Sequence, residues 1–234
     1  MSEETQQMLR KAILQKRKTL SVQECKNLLL KEGFPVNLTK FGVNLEEIVN
    51  EAEKIGFPVV LKVSSKDIIH KSDIGGVITG IRSIHDLREQ FEIMQQNIAR
   101  KAPEAHIEGY IIEKMESGIE LLVGSTHDPM FGPILAFGLG GIYVEILKDV
   151  VFRLIPLERE DATEMISEIK AAKILDGIRG QSPIDKKELV DLLMKTSSFI
   201  DHHPEIEELD LNPVFATEKG VSVVDARIIL KTHA

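Results

Sequence analysis

The stretch Glu208-Leu209-Asp210-Leu211-Asn212-Pro213-Val214 alternates polar with apolar residues, a pattern typical of a strand that is buried on one face. A second apolar run, Val221–Ile229, follows after Thr217-Glu218-Lys219-Gly220, whose composition suits a tight turn. A hairpin closed by these four residues pairs positions whose numbers sum to 437, since each step from the turn lowers one number and raises the other. The stretch therefore predicts an antiparallel strand pair with a defined register.

This register brings four polar residues to one face of the hairpin. Asn212 lies opposite Asp225. Asp210 lies opposite Arg227, and side chains two residues apart on a strand share a face. Because Mg²⁺ takes few protein oxygens and keeps waters and phosphate oxygens at its other positions, Asn212 and Asp225 suit a magnesium site. An ion pair between Asp210 and Arg227 beside an Asn-Pro turn is the alternative interpretation.

Further upstream, two predicted strands, Val59–Val63 and Val77–Ile81, enclose a loop of 13 residues, 64–76. A loop of that length in a compact domain usually has a function or is disordered. It contains two lysines, His70 and the pair Gly75-Gly76, which suit either an anion-binding flap or an exposed polar loop. We interpret His70 either as a surface histidine or as a nucleophile that accepts a phosphoryl group.

Lys62 is a charged residue within the apolar run Val-Val-Leu-Lys-Val. Such a lysine needs a partner unless it lies on an edge strand and reaches solvent. The other interpretation is a fixed cation beneath a nucleotide phosphate. A second glycine cluster, Gly138-Leu139-Gly140-Gly141, is compatible with a backbone contact to a ligand or with a tight turn.

Composition limits the classes of function. The 234 residues are 43% hydrophobic and 28% charged, as in globular proteins. The net charge of −8 argues against nucleic acid or an anionic membrane as the main partner. The single cysteine, Cys25, cannot form an intrachain disulfide, and we expect it in the core. Neither a membrane-spanning run nor a signal peptide is visible, so we expect a cytoplasmic protein without a membrane partner.

The pattern of elements favours an α+β architecture over regular βαβ winding, because hairpins and helices are mixed. Residues 1–20 are expected to form an amphipathic helix or an arm. Helices are predicted from Ser21 to Gly33, from Asn44 to Gly56, and over 84–101, 160–175 and 185–201. Besides those already named, strands are predicted over 110–115, 120–123, 134–137 and 151–154.

Taken together, these segments resemble the ATP-grasp fold, and in particular the β subunits of archaeal ADP-forming acyl-CoA synthetases. The matching strings are Gly56–Lys62, His70–Val77, Asp128–Pro133, Phe137–Gly141, Arg153–Leu157 and Glu208–Pro213. The resemblance extends over residues 20–231, and its specificity lies in the order and spacing of the strings. It implies an arm (1–20) and two α+β subdomains, 21–110 with a mobile loop 64–76 and 111–234 with metal-binding strands, with the nucleotide between them.

The resemblance implies one half of a two-subunit enzyme that catalyses acyl-CoA + ADP + phosphate ⇌ carboxylic acid + CoA + ATP. A CoA-binding α subunit forms the acyl phosphate, and a loop histidine of the β subunit, here His70, carries the phosphoryl group to ADP. The nucleotide subunit of succinyl-CoA synthetases lacks this histidine. A heterotetramer of two α and two β subunits, with Mg²⁺ as cofactor, is expected.

The resemblance also implies roles for single residues. Asp210 is expected to orient phosphorylated His70, and Asn212 and Asp225 match the metal ligands. The expected nucleotide-binding residues are Lys62, Gly75 and Gly76 at the phosphates, Glu113, Lys114 and Met115 at the adenine, Glu120 at the ribose, and Arg153 at the transferring phosphate. Two alternatives remain: another ATP-grasp carboxylate ligase or kinase that needs no loop histidine, and a nucleotide sensor without catalysis.

Overall fold

The computed structural model describes residues 3–68, 71–141, 149–178, 180 and 182–231. The chain divides into two compact units, Asn37–Glu116 and a larger one made of Met1–Val36 and Ser117–Ala234. These limits differ from the subdomain boundaries expected after residues 20 and 110. The N-terminal segment belongs to the same unit as the C-terminal strands.

Backbone hydrogen bonds attach the N-terminal segment to the larger unit. Leu230 N donates to Lys18 O over 2.7 Å, and Leu20 N donates to Ile228 O over 3.3 Å. The predicted arm begins with a helix, α1 (Glu3–Leu14), and the following helix is α2 (Val22–Lys31). Between them residues 15–16 form a turn, and residues 18–20 then pair with the last strand. This is a non-local contact that local sequence patterns do not reveal.

The smaller unit is a four-stranded antiparallel sheet, in the order β1-β4-β2-β3, with two helices. Its elements are β1 (Thr39–Gly42), α3 (Leu45–Ile55), β2 (Val59–Ser64), β3 (Val77–Ile81), α4 (Ile84–Lys101) and β4 (Gly109–Lys114). The sequence did not predict β1, because only one of its four residues is buried. Apolar residues of both helices and of the sheet form one core.

Both helices of the smaller unit begin at the residues that the sequence indicates. The side chain of Asn44 accepts a hydrogen bond from Glu47 N, and that of Ser83 accepts one from Asp86 N. Such caps satisfy backbone donors that have no partner in the first turn. The apolar residues of both helices pack in the same core as those of β2 and β4.

The larger unit contains a six-stranded sheet in the order β10-β8-β5-β6-β7, with β9 paired to β8. Its strands are β5 (Ile119–Asp128), β6 (Gly132–Leu139), β7 (Val150–Leu154), β8 (Ile206–Thr217), β9 (Gly220–Val223) and β10 (Ala226–Leu230). Its further helices are α5 (Arg159–Glu168), α6 (Ala172–Leu175) and α7 (Lys186–His202). Its core joins one face of this sheet to α1, α2, α5 and α7.

The predicted register of the C-terminal strands is confirmed. Val214 pairs with Val223 and Thr217 with Gly220. Asp210 pairs with Arg227 in the second half of the hairpin. The strand predicted over 221–229 is interrupted, so that β9 and β10 are separate strands on the same partner β8.

The helix predicted over 160–175 is interrupted as well. Ile169 has an extended conformation with φ −61° and ψ 137°. The amides of Lys170 and Ala171 donate to the two carboxylate oxygens of buried Asp149, over 2.8 and 2.9 Å. A carboxylate 21 residues earlier in the chain thus replaces the helical acceptors, which ends α5 before α6 begins.

Two further expectations concern the core and the membrane. Cys25 is fully buried, as predicted, and burial raises the pKa of its thiol to about 12. Within the described residues, no helix combines the length and the apolar character that crossing a membrane requires.

Candidate functional site

A cavity of about 500 Å³ opens on the larger unit beside the C-terminal strands. It is lined by Thr19, Leu20, Val22, Asp210, Asn212, Asp225, Ala226 and Arg227. The four polar residues that were predicted on one face of the hairpin therefore border one common space. The N-terminal segment contributes the remaining wall, because residues 18–20 pair with β10.

Strand alternation places the first two polar residues. Leu209 and Leu211 are buried in the core, so Asp210 and Asn212 lie on the other face of β8. Asp210 is half-buried and Asn212 is exposed. The same alternation that stabilises the strand thus presents a carboxylate and an amide to the cavity.

The break between β9 and β10 places the third polar residue. Asp225 lies in this break, and its carbonyl accepts a hydrogen bond from Asn212 N over 3.3 Å. Its Oδ1 accepts a hydrogen bond from Ala226 N over 2.9 Å. These two contacts hold Asp225 opposite Asn212 and fix the orientation of its carboxylate.

The electrostatics of the cavity centre on Asp210. Burial raises the pKa of its carboxyl above the usual value, while Arg227 lowers it and the carboxylates of Glu208 and Asp225 raise it further. Arg227 forms its ion pair with Glu208. No ion pair between Asp210 and Arg227 occurs within the described residues, so the alternative interpretation of this pair is not the arrangement found.

The donor set suits a hard cation that shares its coordination with a ligand. An amide oxygen of Asn212 and a carboxylate of Asp225 are available from facing positions. No group of three or more His, Cys, Asp or Glu side chains suited to a metal was found in the described part of the chain. Residues of this kind fit Mg²⁺ that also binds phosphate oxygens and water, and they do not form a closed protein cage.

In the smaller unit, Lys62 has the partner that its apolar surroundings demand. Its Nζ lies 2.6 Å from Oε2 of Glu113, whose side chain is 2% exposed. β2 lies between β4 and β3, so the interpretation of Lys62 as an edge-strand lysine is wrong. A buried carboxylate instead holds the ammonium group on a central strand.

The expected adenine segment is bound to the chain that follows α3. Lys114 Nζ donates to Gly56 O over 2.8 Å and to Phe57 O over 3.2 Å. Met115 N donates to Pro58 O over 3.1 Å. Lys114 N also has a backbone acceptor. These contacts explain how the segment is positioned. Recognition of a base by the backbone amides of Lys114 and Met115 stays a prediction.

The loop 64–76 is folded back at its C-terminal end. Gly75 N donates to Ser72 O over 3.0 Å, and Gly76 N donates to Lys71 O over 2.7 Å. Gly75 has a φ of 72°, which favours glycine. A Cβ on Gly76 would lie 2.6 Å from Cγ1 of Val63. Backbone conformation at Gly75 and close packing at Gly76 thus explain why both positions are glycine. Their predicted contacts to phosphate remain untested.

The N-terminal end of this loop is anchored too. Asp67 Oδ2 accepts a hydrogen bond from His106 N over 2.7 Å, and Ile68 is buried in the core. On the other side, Lys101 Nζ donates to Asp73 O over 2.8 Å. His70, the predicted nucleophile, lies outside the described residues.

Comparisons with known proteins show the family to which the chain belongs. The model of the ATP-grasp domain matches residues 11–230. The chain is 48% identical over 208 residues to the β subunit of acetate–CoA ligase [ADP-forming] I of Pyrococcus furiosus, covering 88% of this chain and 90% of that subunit. It belongs to the ATP-grasp family, among the β subunits of ADP-forming acetate–CoA ligases. The predicted fold is confirmed.

The chain also matches part of a longer ligase and whole chains in solved structures. Acetate–CoA ligase [ADP-forming] I of Archaeoglobus fulgidus is 46% identical over 202 residues, which are 85% of this chain but 29% of that protein. A solved Ca. Korarchaeum cryptofilum dinucleotide forming acetyl-coenzyme A synthetase 1, with coenzyme A and Ca-AMPCP, matches with a TM-score of 0.90 and 43% identity, covering 97% of this chain and 100% of that chain. Another structure of that synthetase, with Mg-AMPPCP (TM-score 0.84, 41% identity, covering 97% and 100%), has its phosphohistidine segment pointing towards the nucleotide binding site.

In this ATP-grasp chain, the second glycine cluster is explained by backbone packing. A Cβ on Gly138 would lie 2.4 Å from Asp149 O, and one on Gly140 would lie 3.1 Å from backbone atoms of Glu120. Gly141 is close to the Glu120 carboxylate, since a Cβ there would lie 2.4 Å from Oε2. Glu120 itself is exposed, and its predicted ribose contact remains a prediction.

Arg153 is not among the residues that line the cavity, and its predicted contact with the transferring phosphate stays a prediction. Its NH2 lies 2.6 Å from Glu168 and 3.6 Å from Glu164, both on α5. The hydrogen bond to Glu168 raises the pKa of the guanidinium. Since neighbouring residues of a strand point to opposite faces, alternation alone could not tell which face of β7 a helix covers.

Sequence reasoning assigned no role to Glu208 or to Thr19. Glu208 shares the strand face of Asp210 and could have been found from the two-residue spacing. Thr19 reaches the cavity through its bridge to Ile229, for which no local signal exists. The candidate site is thus formed by the predicted C-terminal hairpin and by the N-terminal segment around Thr19, whose place beside the hairpin was not predicted.

Proposed function

We propose that this chain is the nucleotide-binding subunit of an ADP-forming acyl-CoA synthetase, which catalyses acyl-CoA + ADP + phosphate ⇌ carboxylic acid + CoA + ATP. The observation that carries the proposal is the common cavity of Asp210, Asn212 and Asp225. An acid for histidine orientation and two oxygen donors for a metal are the parts that phosphoryl transfer to a nucleotide requires. The relatives named above act on acetate or use coenzyme A, which supports the same class of reaction.

In this proposal, Asn212 and Asp225 hold Mg²⁺, and the ion neutralises phosphate charge when it is bound. The protein contributes two oxygens from facing positions, and the remaining ligands come from water and nucleotide. Lys62, held by Glu113, supplies a fixed positive charge in the smaller unit. Its ammonium group is 2.6 Å from the carboxylate, so the pair keeps the lysine oriented between turnovers.

His70 carries the phosphoryl group in two steps. A phosphorus–nitrogen bond forms on its imidazole as the bond to the donor in the partner subunit breaks. That bond then breaks as a terminal phosphate oxygen of ADP attacks phosphorus, so ATP leaves and a free imidazole remains. Asp210 accepts a hydrogen bond from the ring and compensates its positive charge, a positioning role that suits a half-buried carboxylate.

The partner in this proposal is a CoA-binding α subunit. The chain corresponds to 29% of the Archaeoglobus ligase but to 90% of the separate Pyrococcus subunit. The name of the Pyrococcus relative, a β subunit, supports a partner α subunit, and we infer that CoA binding and acyl phosphate formation occur there, in an α₂β₂ assembly. The acid that is activated is selected there, so its identity does not follow from this chain.

The experiment that tests the proposed function locates a phosphoryl group. The purified chain is incubated with Mg-ATP, alone and with its α subunit, and phosphorylated peptides are mapped under alkaline conditions that preserve phosphohistidine. We expect one phosphoryl group on His70 and none in His70→Asn. The exposed His85 provides the matched control, since His85→Asn should be labelled like wild type. Nucleotide binding without any label, even with the α subunit present, would favour the sensor and contradict the proposal.

A further inference from the structure

We propose that Arg227 binds phosphate oxygens of the nucleotide or of the transferring group at the Asp210 cavity, in the role that the sequence suggested for Arg153. The inference rests on the proposed function and deepens it. It concerns phosphate recognition at the same cavity, and its test separates it from the failure of the wider proposal.

The first argument is position. Arg227 lies on β10 directly opposite Asp210, and it lines the same cavity as Asn212 and Asp225. Its side chain is 58% exposed, so the guanidinium is accessible to a ligand. A cation placed here lies beside the predicted metal ligands, where the phosphates of a bound nucleotide are expected.

The second argument is charge. The described lining of the cavity carries two carboxylates, those of Asp210 and Asp225, and Arg227 is its one positively charged residue. A polyphosphate brings several further negative charges. Without a cation from the protein, the metal alone would have to offset the repulsion between these carboxylates and the phosphates. Arg227 reduces that repulsion from the protein side.

The third argument is the geometry of the guanidinium group. Arginine presents five N–H donors in a planar fork that matches two phosphate oxygens. One of these nitrogens, NH2, is bound by Glu208 Oε1. An ion pair at one end orients the group and leaves other donors for a ligand. Glu208 therefore acts as the residue that positions Arg227.

The fourth argument excludes the competing arginine. Arg153 is held by Glu164 and Glu168 on the helix side of the sheet. Its strand neighbour Phe152 is in register with Ala136, Gly124 and then Asp210, so Phe152 shares the face of Asp210. Arg153 consequently points to the other face, away from the cavity.

The test compares the binding of two ligands that differ only in phosphate. Affinities for ADP and for adenosine are measured by isothermal titration calorimetry with Mg²⁺ present, for wild type, Arg227→Gln, Arg227→Lys and Arg153→Gln. Arg159→Gln is the matched control, since Arg159 is exposed and forms a surface ion pair. Thermal unfolding of each variant verifies that it is folded.

We expect Arg227→Gln to weaken ADP binding about tenfold or more, as for a lost hydrogen bond to a charged group, and to leave adenosine binding unchanged. Arg227→Lys should recover part of the loss, and Arg153→Gln should bind like wild type. The inference would be overturned if Arg227→Gln bound ADP as tightly as wild type, or if it lost as much affinity for adenosine as for ADP. Either result would leave the proposed function standing. Failure of the wild type to bind ADP would overturn the proposed function as well.

Discussion

Lys62 Nζ and Glu113 Oε2 lie 2.6 Å apart on neighbouring strands in the middle of the small sheet. The lysine side chain is 20% exposed and the glutamate side chain 2% exposed. A carboxylate buried to this degree remains charged only with a close partner. Lys62 therefore has two expected roles: it stabilises the smaller unit through Glu113, and it is the cation proposed to bind nucleotide phosphate.

Removal of one partner of this pair should destabilise the protein. We expect Lys62→Met to lower the free energy of unfolding by about 3 kcal/mol, because it leaves the buried Glu113 without its cation. The double variant Lys62→Met, Glu113→Leu should recover most of this loss. Denaturant unfolding measures both, with the exposed Lys54→Met as control. Equal stability of Lys62→Met and wild type would contradict this account of the pair.

The turn at the end of the loop 64–76 should not tolerate a side chain at Gly76. A Cβ there would lie 2.6 Å from Val63 Cγ1 and 3.0 Å from Lys71 O. We expect Gly76→Ala to cost about 1–3 kcal/mol of stability, as overpacked sites do. Adding Val63→Ala should relieve part of the clash. A thermal melt in which Gly76→Ala matches wild type would show that the turn adapts freely.

The ion pair that joins Arg17 to α2 should make stability depend on pH. The hydrogen bond from Arg17 lowers the pKa of Glu24 to about 2. Because the folded value lies below the ordinary one, the stabilisation is present above about pH 4.5 and is lost as the pH falls towards 2. Glu24→Gln keeps a side chain suited to the helix cap and removes the charge. The difference in Tm between wild type and Glu24→Gln should therefore shrink between pH 5 and pH 2, and a constant difference would argue against it.

The metal assignment predicts an altered response to Mg²⁺. Asp225→Asn removes the charge of one proposed ligand and preserves its shape. We expect about tenfold more Mg²⁺ to be needed for half-maximal tightening of ADP binding. The titration is followed by calorimetry at a series of Mg²⁺ concentrations. Asp191→Asn, at a partly exposed position on α7 away from the cavity lining, should respond like wild type. An unchanged midpoint for Asp225→Asn would remove Asp225 from the metal site.

The sequence predicted the register of the C-terminal hairpin, because a turn formed by Thr217-Glu218-Lys219-Gly220 leaves one register, but it did not predict the break between β9 and β10. It did not predict the orientation of Arg153, since alternation defines two faces but not which of them a helix covers. It also missed the break before α6, which depends on Asp149 from a distant segment. The grouping of residues 18–20 with β10 is likewise a tertiary contact without a local pattern.

One part of the candidate site could be predicted from local sequence, and another part depended on contacts between distant segments. Asp210, Asn212 and Asp225 were brought together by strand geometry, which local sequence defines. The sequence indicated that Lys62 would need a partner. It could not identify Glu113 as that partner, because the contact depends on the pairing of β2 with β4. The amides of Gly75 and Gly76 donate to Ser72 and Lys71 and so close a turn, which local sequence did not indicate. The predicted contact of these glycines with phosphate stays a prediction.

The most direct test of the central claim is discharge of the phosphorylated chain. Wild-type protein carrying a phosphoryl group on His70 is freed of nucleotide and mixed with ADP and Mg²⁺, and protein-bound phosphate and ATP are measured together. The account predicts that one ATP forms for each phosphoryl group lost, and that Asp210→Asn slows this transfer. Loss of the phosphoryl group as inorganic phosphate without ATP, or its retention in the presence of ADP, would contradict the account.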